Sequence, residues 1–400
     1  MSGETIAGRP GDRVRWWSLL TPIGLLAVLI AVIVWTDPAD VMRGDVRPPI
    51  ERLTVQRVTL SPGGISVTVL NDGPDPVTIA QVAVDDAYWA FQPSPAPTLR
   101  RLERATLTVP YPWVEGETHV VRIVTSTGMT FDHEIAVALE TPRPDRRFFV
   151  AFALVGLYVG VLPVSIGLLW FPMVARIGRT GLDFVLALTI GLLLFLLVDA
   201  GHEGLESAAA APESYQGVAL FLFCAAGAYL GLEVLGQWLR ARHGPAKAGG
   251  GLVLAMLVAV GIGLHNFAEG LAIGSAFSLG EAALGALLIV GFALHNTTEG
   301  LAIVAPLARE RVRLVDLVRL GLVGGAPTIA GAWLGGLVYS PTLAVVCLAI
   351  GAGAIAQVVV QIVRQMAGDR PGVQHLVNPP VAGGLMAGFL VMYLTGMLVG

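Results

Sequence analysis

Two segments of the chain carry one polar pattern inside apolar surroundings: Gly263–Gly274 (GLHNFAEGLAIG) and Phe292–Ile303 (FALHNTTEGLAI). Both read His-Asn-x-x-Glu-Gly-Leu-Ala-Ile. His265 and Glu269 are four residues apart, as are His295 and Glu299, and on a helix that spacing stacks each imidazole one turn from its carboxylate. Asn266 and Asn296 follow one position on and add amide oxygens to the flank of that face. Two imidazoles and two carboxylates are a ligand set for zinc or another divalent first-row ion. A lone His or Glu at such depth can be a polar clasp between helices, but one five-residue pattern given twice favours ligation.

The elements that must hold these residues are membrane spans. Of the 400 residues, 54% are hydrophobic and 14% charged, against about 25% charged in soluble domains. Ionisable groups at membrane depth are costly and read as functional by default. The two motifs sit on consecutive apolar runs joined near Ser278–Glu281. Each histidine stands about 15 residues from the midpoint, or roughly 22 Å along a helix, so antiparallel spans put both histidines at similar depth and let the four ligands converge. Two carboxylates there could bridge two ions, with Asn266 and Asn296 serving the second.

Apolar runs near 149–172, 183–201, 217–236, 252–277, 282–306, 314–338, 342–363 and 381–400 predict an all-α bundle of eight spans over 148–400. Ahead of it, residues 1–15 are polar, and 16–36 form an apolar run with Trp at both ends, read as an uncleaved transmembrane anchor. Residues 37–147 change character. Gly64–Leu70, Val77–Val84, Ala105–Val109 and His119–Thr125 are rich in β-branched residues and separated by turn signals such as Asn71-Asp72-Gly73-Pro74, which predicts a β-sandwich-like domain. His119, Asp132, His133 and Glu134 within it form no catalytic set and read as incidental.

Charge orients the spans. With 1–15 cytoplasmic, the inside loops hold Arg176 and Arg179; Arg240, Arg242 and Lys247; Arg309, Arg311 and Arg313; Arg364 and Arg370. The loops near 202–216, 278–281 and 339–341 hold no Lys or Arg. This positive-inside pattern puts the β-rich domain and the C-terminus outside, in a plasma (inner) membrane. Arg143, Arg146 and Arg147 run against it, after a long translocated domain where the rule is weak.

Other groups are read as accessory. Asp199, His202, Glu203 and Glu206 gather at the outer end of the second bundle span, a mouth that concentrates cations or simply a solvated helix end. Asp199 reads as the deepest and the best candidate for a transport role. Gln361 and Gln357 in the seventh span face a pathway or bond between helices. Cys224 and Cys347 stand alone, excluding thiolate sites. No Walker sequence is present, and a net charge of −4 gives no basic surface for nucleic acid.

With these residues in view, the chain resembles the ZIP (Zrt/Irt-like) family of divalent metal transporters over about 148–400. The family has eight transmembrane helices and a metal centre on the fourth and fifth, where HNFAEG and HNTTEG stand here. The resemblance implies that His265, Glu269, His295 and Glu299 bind the principal ion and that Asn266 and Asn296, with the shared glutamates, form the neighbouring site. Ala268 and Thr298 replace the Pro that many relatives carry before the Glu. Gly324-Gly325-Ala326 supply none of the Glu that some members have on the sixth helix. The short loop before the fourth span has one histidine, His243, and the anchor and β-rich domain are additions.

The expected function is secondary transport of Zn²⁺ (or Fe²⁺, Mn²⁺ or Cd²⁺) into the cytoplasm by alternating access, not enzymatic and with no organic cofactor. Its expected partners are the ion and membrane lipid, with a homodimer allowed and the partner of the β-rich domain open. An intramembrane metal-dependent hydrolase and a non-conducting metal sensor are the rivals; the first needs a base beyond the ligands.

Overall fold

The computed structural model describes residues 17–36, 49–243, 250–278, 282–308, 310–338, 340–367 and 378–397. The tail over 1–15, the connection over 279–281, Lys247, Arg309 and Arg370 lie outside the described residues. Helix α1 (Trp17–Thr36) is an apolar helix of 20 residues in a unit of its own, Met1–Ile50. Everything from Glu51 onward forms the second unit.

That unit begins with nine strands in two sheets. The first runs in the order β1 (Leu53–Ser61), β2 (Gly64–Asn71), β7 (Arg104–Val109), β5 (Gln92–Ser94). The second runs β4 (Ala87–Trp89), β3 (Val77–Val84), β8 (His119–Thr125), β9 (Thr130–Ile135), with β6 (Thr98–Leu99) also on β3. All pairings are antiparallel. Alternation packs Val67, Val69 and Leu107 of one sheet with Val82, Val121 and Ile123 of the other in one core, as a half-buried β pattern requires. The β1–β2 turn closes through Gly64, whose φ of +136° and a Val109 carbonyl only 2.1 Å from where a Cβ would stand admit glycine alone. His119 is structural: it is buried, with Nδ1 2.7 Å from Asp85 Oδ2. The Tyr111 hydroxyl donates to the same oxygen (2.7 Å) and the Val120 N–H to Oδ1 (2.9 Å).

Eight helices long and apolar enough to cross a membrane follow: α2 (Arg146–Val174), α3 (Arg179–Ala210), α4 (Gly217–His243), α5 (Gly250–Ser278), α6 (Ala282–Val304), α7 (Leu314–Leu337), α8 (Pro341–Ala367) and α9 (Pro379–Met397). The described chain is therefore mostly helical, with eight helices that could span a membrane and a β-sheet domain, as is consistent with a multi-pass membrane protein. The helices pack as two groups. α2, α5, α6 and α7 hold to one another, as do α3, α4, α8 and α9, and the main seam between them is α5 against α8. Within each group small residues let backbones touch. A Cβ on Gly300 would fall 2.2 Å from Val164 O, and one on Gly191 2.3 Å from Leu385 O.

Two outcomes follow from this packing. Gly300→Val should destabilise the bundle by about 3 kcal/mol or more through overpacking, whereas Gly227→Ala, with nothing within 4 Å, should be neutral or stabilising by up to about 1 kcal/mol; melting in detergent compares them. In the β-rich domain, burial alone would raise the Asp85 carboxyl, but Tyr111, Val120 and His119 hold it below its ordinary 3.8. Asp85 in turn pushes Tyr111 up to about 12. The Asp85 contribution to stability is thus present above about pH 4 and lost as pH falls further, while that of Tyr111 is present below pH 10 and lost as pH rises towards 12. A titration of phenolate absorbance on the full chain should show a late transition that Tyr111→Phe removes.

Candidate metal centre

The motif spacing does what helical geometry dictates. α5 and α6 run without a break through Ala268 and Thr298, so each His and Glu of a pair share a face. The two faces meet: one ligand atom from each of His265, Glu269, His295 and Glu299 falls within 4.8 Å of all the others, and all four residues are buried. Glu269 Oε1 is the hub, 2.5 Å from His295 Nε2 and 3.1 Å from His265 Nε2. Ligand atoms around a tetrahedral Zn²⁺ stand ~3.4 Å apart, so side-chain rotations of about 1 Å convert this group into a coordination sphere.

The asparagines are oriented by backbone from neighbouring helices. Asn296 Nδ2 donates to Val159 O (2.9 Å) and to Glu269 Oε2 (3.1 Å). Asn266 Nδ2 donates to Gly324 O (3.0 Å). Both carbonyls are free for a local reason. Pro163 has no N–H to return to Val159 four residues back, and a π-turn over Leu157–Val161 interrupts α2 there, a distortion common at functional sites. On the other side α7 breaks between Gly325 and Pro327, and Gly324 O is one of the last-turn carbonyls that such a helix end leaves without an intrahelical donor. With both amide nitrogens engaged by backbone carbonyls, the two Oδ1 atoms remain buried without a donor, as do both oxygens of Glu299. Buried acceptors without donors cost free energy. Here they cluster around the carboxylates, where a cation would satisfy them.

The charge count agrees. Two carboxylates and two neutral imidazoles sum to −2, which one divalent ion, or a proton on each imidazole, neutralises. No soluble reservoir of counter-charge is at hand in an apolar bundle.

Of the other residues the sequence singled out, Glu203 comes closest. It lines a cavity of about 180 Å³ with Ser207 of α3, Ala268, Leu271, Ala272 and Ser275 of α5, and Leu348 of α8. Ala272 and Ala276 in its wall follow His265 and Glu269 by seven residues, so the cavity lies along the same side of α5 as that pair, though none of the four residues lines it. Asp199 is exposed and does not line that cavity, nor does His202, whose 74% exposed side chain lies 3.6 Å from Glu206. Gln361 is buried on α8, outside the four-ligand group, while Gln357 donates to Glu233 (3.3 Å), which also accepts from Arg364 (2.7 Å). Sequence reasoning missed the Val159 and Gly324 carbonyls; Pro163, four residues after Val159, was the available signal for the first.

His265→Ala should weaken Zn²⁺ binding at least about 100-fold in competition with a chromophoric chelator, since it deletes a ligand. Pro163→Ala restores an N–H to Val159 and should release Asn296, weakening binding about tenfold as loss of a supporting hydrogen bond does.

Compared with known proteins, the chain matches no family model, and no curated protein matches its sequence.

Proposed function

We propose that the chain is a secondary transporter that carries a divalent first-row metal, Zn²⁺ foremost, across the membrane through the His265–Glu269–His295–Glu299 centre, in the manner of the ZIP carriers its motifs resemble. The ion is substrate. The observation that carries this reading is the cluster of buried oxygens without donors on Glu299, Asn266 and Asn296, set among imidazoles and a second carboxylate.

Each chemical step falls to a named group. Glu203, in the cavity beside the centre, hands the ion inward as a carboxylate that stays partly hydrated. Binding at the imidazoles requires them neutral, so the metal displaces protons there, and charge at the centre stays balanced whether it is loaded or empty. Asn266 and Asn296 lend amide oxygens to a neighbouring ion position. All four ligands belong to the α2–α5–α6–α7 group, while Glu203 and Leu348 belong to the other. Movement of one group along the α5–α8 seam therefore carries the ligand set as a unit past the residues that admitted the ion, which is alternating access. With no Walker sequence in the chain, the gradient of the metal or of a coupled ion drives flux. On the positive-inside pattern, flux runs inward from the side of the β-rich domain, and α1 serves as its membrane anchor.

Proteoliposomes loaded with a zinc-sensitive dye test this. The wild-type chain should accumulate Zn²⁺, and His265→Ala and Glu299→Ala should reduce the initial rate to background while eluting as folded protein in detergent. Glu203→Ala should retain transport with a rate about tenfold lower at limiting metal. Equal rates for wild type and His265→Ala would defeat the carrier reading.

A further inference from the structure

The two-sheet domain is fastened to the first helix group at two places. Its last strand leads into α2 through a segment pinned back onto the sheets: Thr141 N–H donates to Leu60 O and Leu60 N–H donates to Thr141 Oγ1, both at 2.9 Å. Arg57 Nη1 donates to Leu337 O (2.7 Å) at the end of α7. Toward the second group its hydrogen bonds, among the described residues, converge on one turn, Glu213–Tyr215, between α3 and α4. Asp72 Oδ2 accepts from the Glu213 N–H (2.5 Å) and Oδ1 from the Ser214 N–H (3.0 Å). Ser214 Oγ donates to Asp72 O (3.1 Å), and Arg52 pairs with Glu213.

This contact is prepared rather than incidental. Asp72 is 6% exposed, and its turn is fixed by Asn71, whose amide donates to Asp75 O (2.8 Å) and Leu99 O (2.9 Å) and accepts from Gly73 N–H (2.9 Å). Charge-assisted bonds from a buried carboxylate to backbone N–H groups are among the stronger ones. The contact also lies at the cavity's end of the bundle. Ser207, in the cavity wall, precedes Glu213 on the same stretch of chain. Ser275, in the opposite wall, precedes Ser278, whose hydroxyl donates to Gly336 O (2.8 Å), next to the Leu337 that Arg57 holds.

We propose that the Asp72 turn is a latch across the two helix groups. The β-rich domain travels with α2, α5, α6 and α7, and its bonds to Glu213 and Ser214 hold α3, α4, α8 and α9 in register with them. One group slides along the other only when those bonds open. The functional sense of the latch rests on the carrier reading, in which it sets the balance between the two access states.

Spin labels at Ser207→Cys and Leu284→Cys, in a chain also carrying Cys224→Ala and Cys347→Ala, report the separation of the two groups. The latched chain should show one dominant distance. Asp72→Ala, and separately Arg52→Ala with Ser214→Ala, which leaves Asp72 and its turn intact, should add a second population, with Asp72→Ala moving the balance by about tenfold. A disulfide through Asp72→Cys and Ser214→Cys should restore the single population until it is reduced. Unchanged distances in both latch-breaking chains overturn the proposal whether or not the protein transports. Zinc uptake measured in parallel on the same latch variants with Ser207 and Leu284, which line the cavity, left native keeps the two readings apart: uptake that the disulfide stops and reduction restores supports both. Shifted distances without uptake in any chain defeat the carrier and leave the latch standing.

Discussion

Two carboxylates and two imidazoles buried together in an apolar bundle impose one condition on the rest of the molecule: their charge must be balanced on the spot. A single buried carboxylate can be neutralised by protonation at modest cost, but four coupled groups respond collectively, through the ion or the protons they share. Glu269 meets the condition through both histidines. Glu299, with no aligned donor at either oxygen, leaves it to a cation. On the proposed carrier reading, metal and proton are alternatives at the centre, and any ion that replaces the protons must bring two charges to preserve the count.

Around this centre the fold uses backbone where a side chain would be expected. α5 and α6 spend their regularity on aligning the ligands, so the irregularity falls on α2 and α7. A π-turn in one and a proline break in the other release Val159 O and Gly324 O to the asparagine amides. These bonds tie the ligand helices to both flanking helices at the level of the centre. The four helices of that group consequently share one polar knot and a set of glycine contacts, and a rigid unit results from the same features that orient the ligands.

Much of this was legible in the sequence, for particular reasons. The doubled His-Asn-x-x-Glu is strong because helical spacing and matched depth are both fixed by residue number. The eight spans stood out through long apolar runs, and β2, β3, β7 and β8 through β-branched alternation between turn signals. The short strands β4, β5 and β6 were not visible, since two or three residues carry no period. Ranking Asp199 above Glu203 followed distance from the helix end. Which face of α3 turns inward depends on its packing against α8 and α9, and the unbroken apolar run ahead of Asp199 does not encode that. Pro163, four residues after Val159, marks the carbonyl it sets free, a signal that a long apolar run does not carry. The sequence likewise gave no sign that Asn71-Asp72-Gly73-Pro74, plain turn chemistry, would reach a distant helix connection.

One feature of the α5–α8 seam bears on how such a molecule could move. Opposite His265, helix α8 presents Gly351, which is buried, and a Cβ added there would already stand 3.2 Å from the histidine's Cα. Where large side chains interdigitate, displacement climbs over each one in turn; a face of hydrogens and methyl groups has low corrugation. Beside the histidine the seam is such a face, while Val358 sits over Gly261 further along it, so a methyl added at Gly351 would act as a second ratchet tooth.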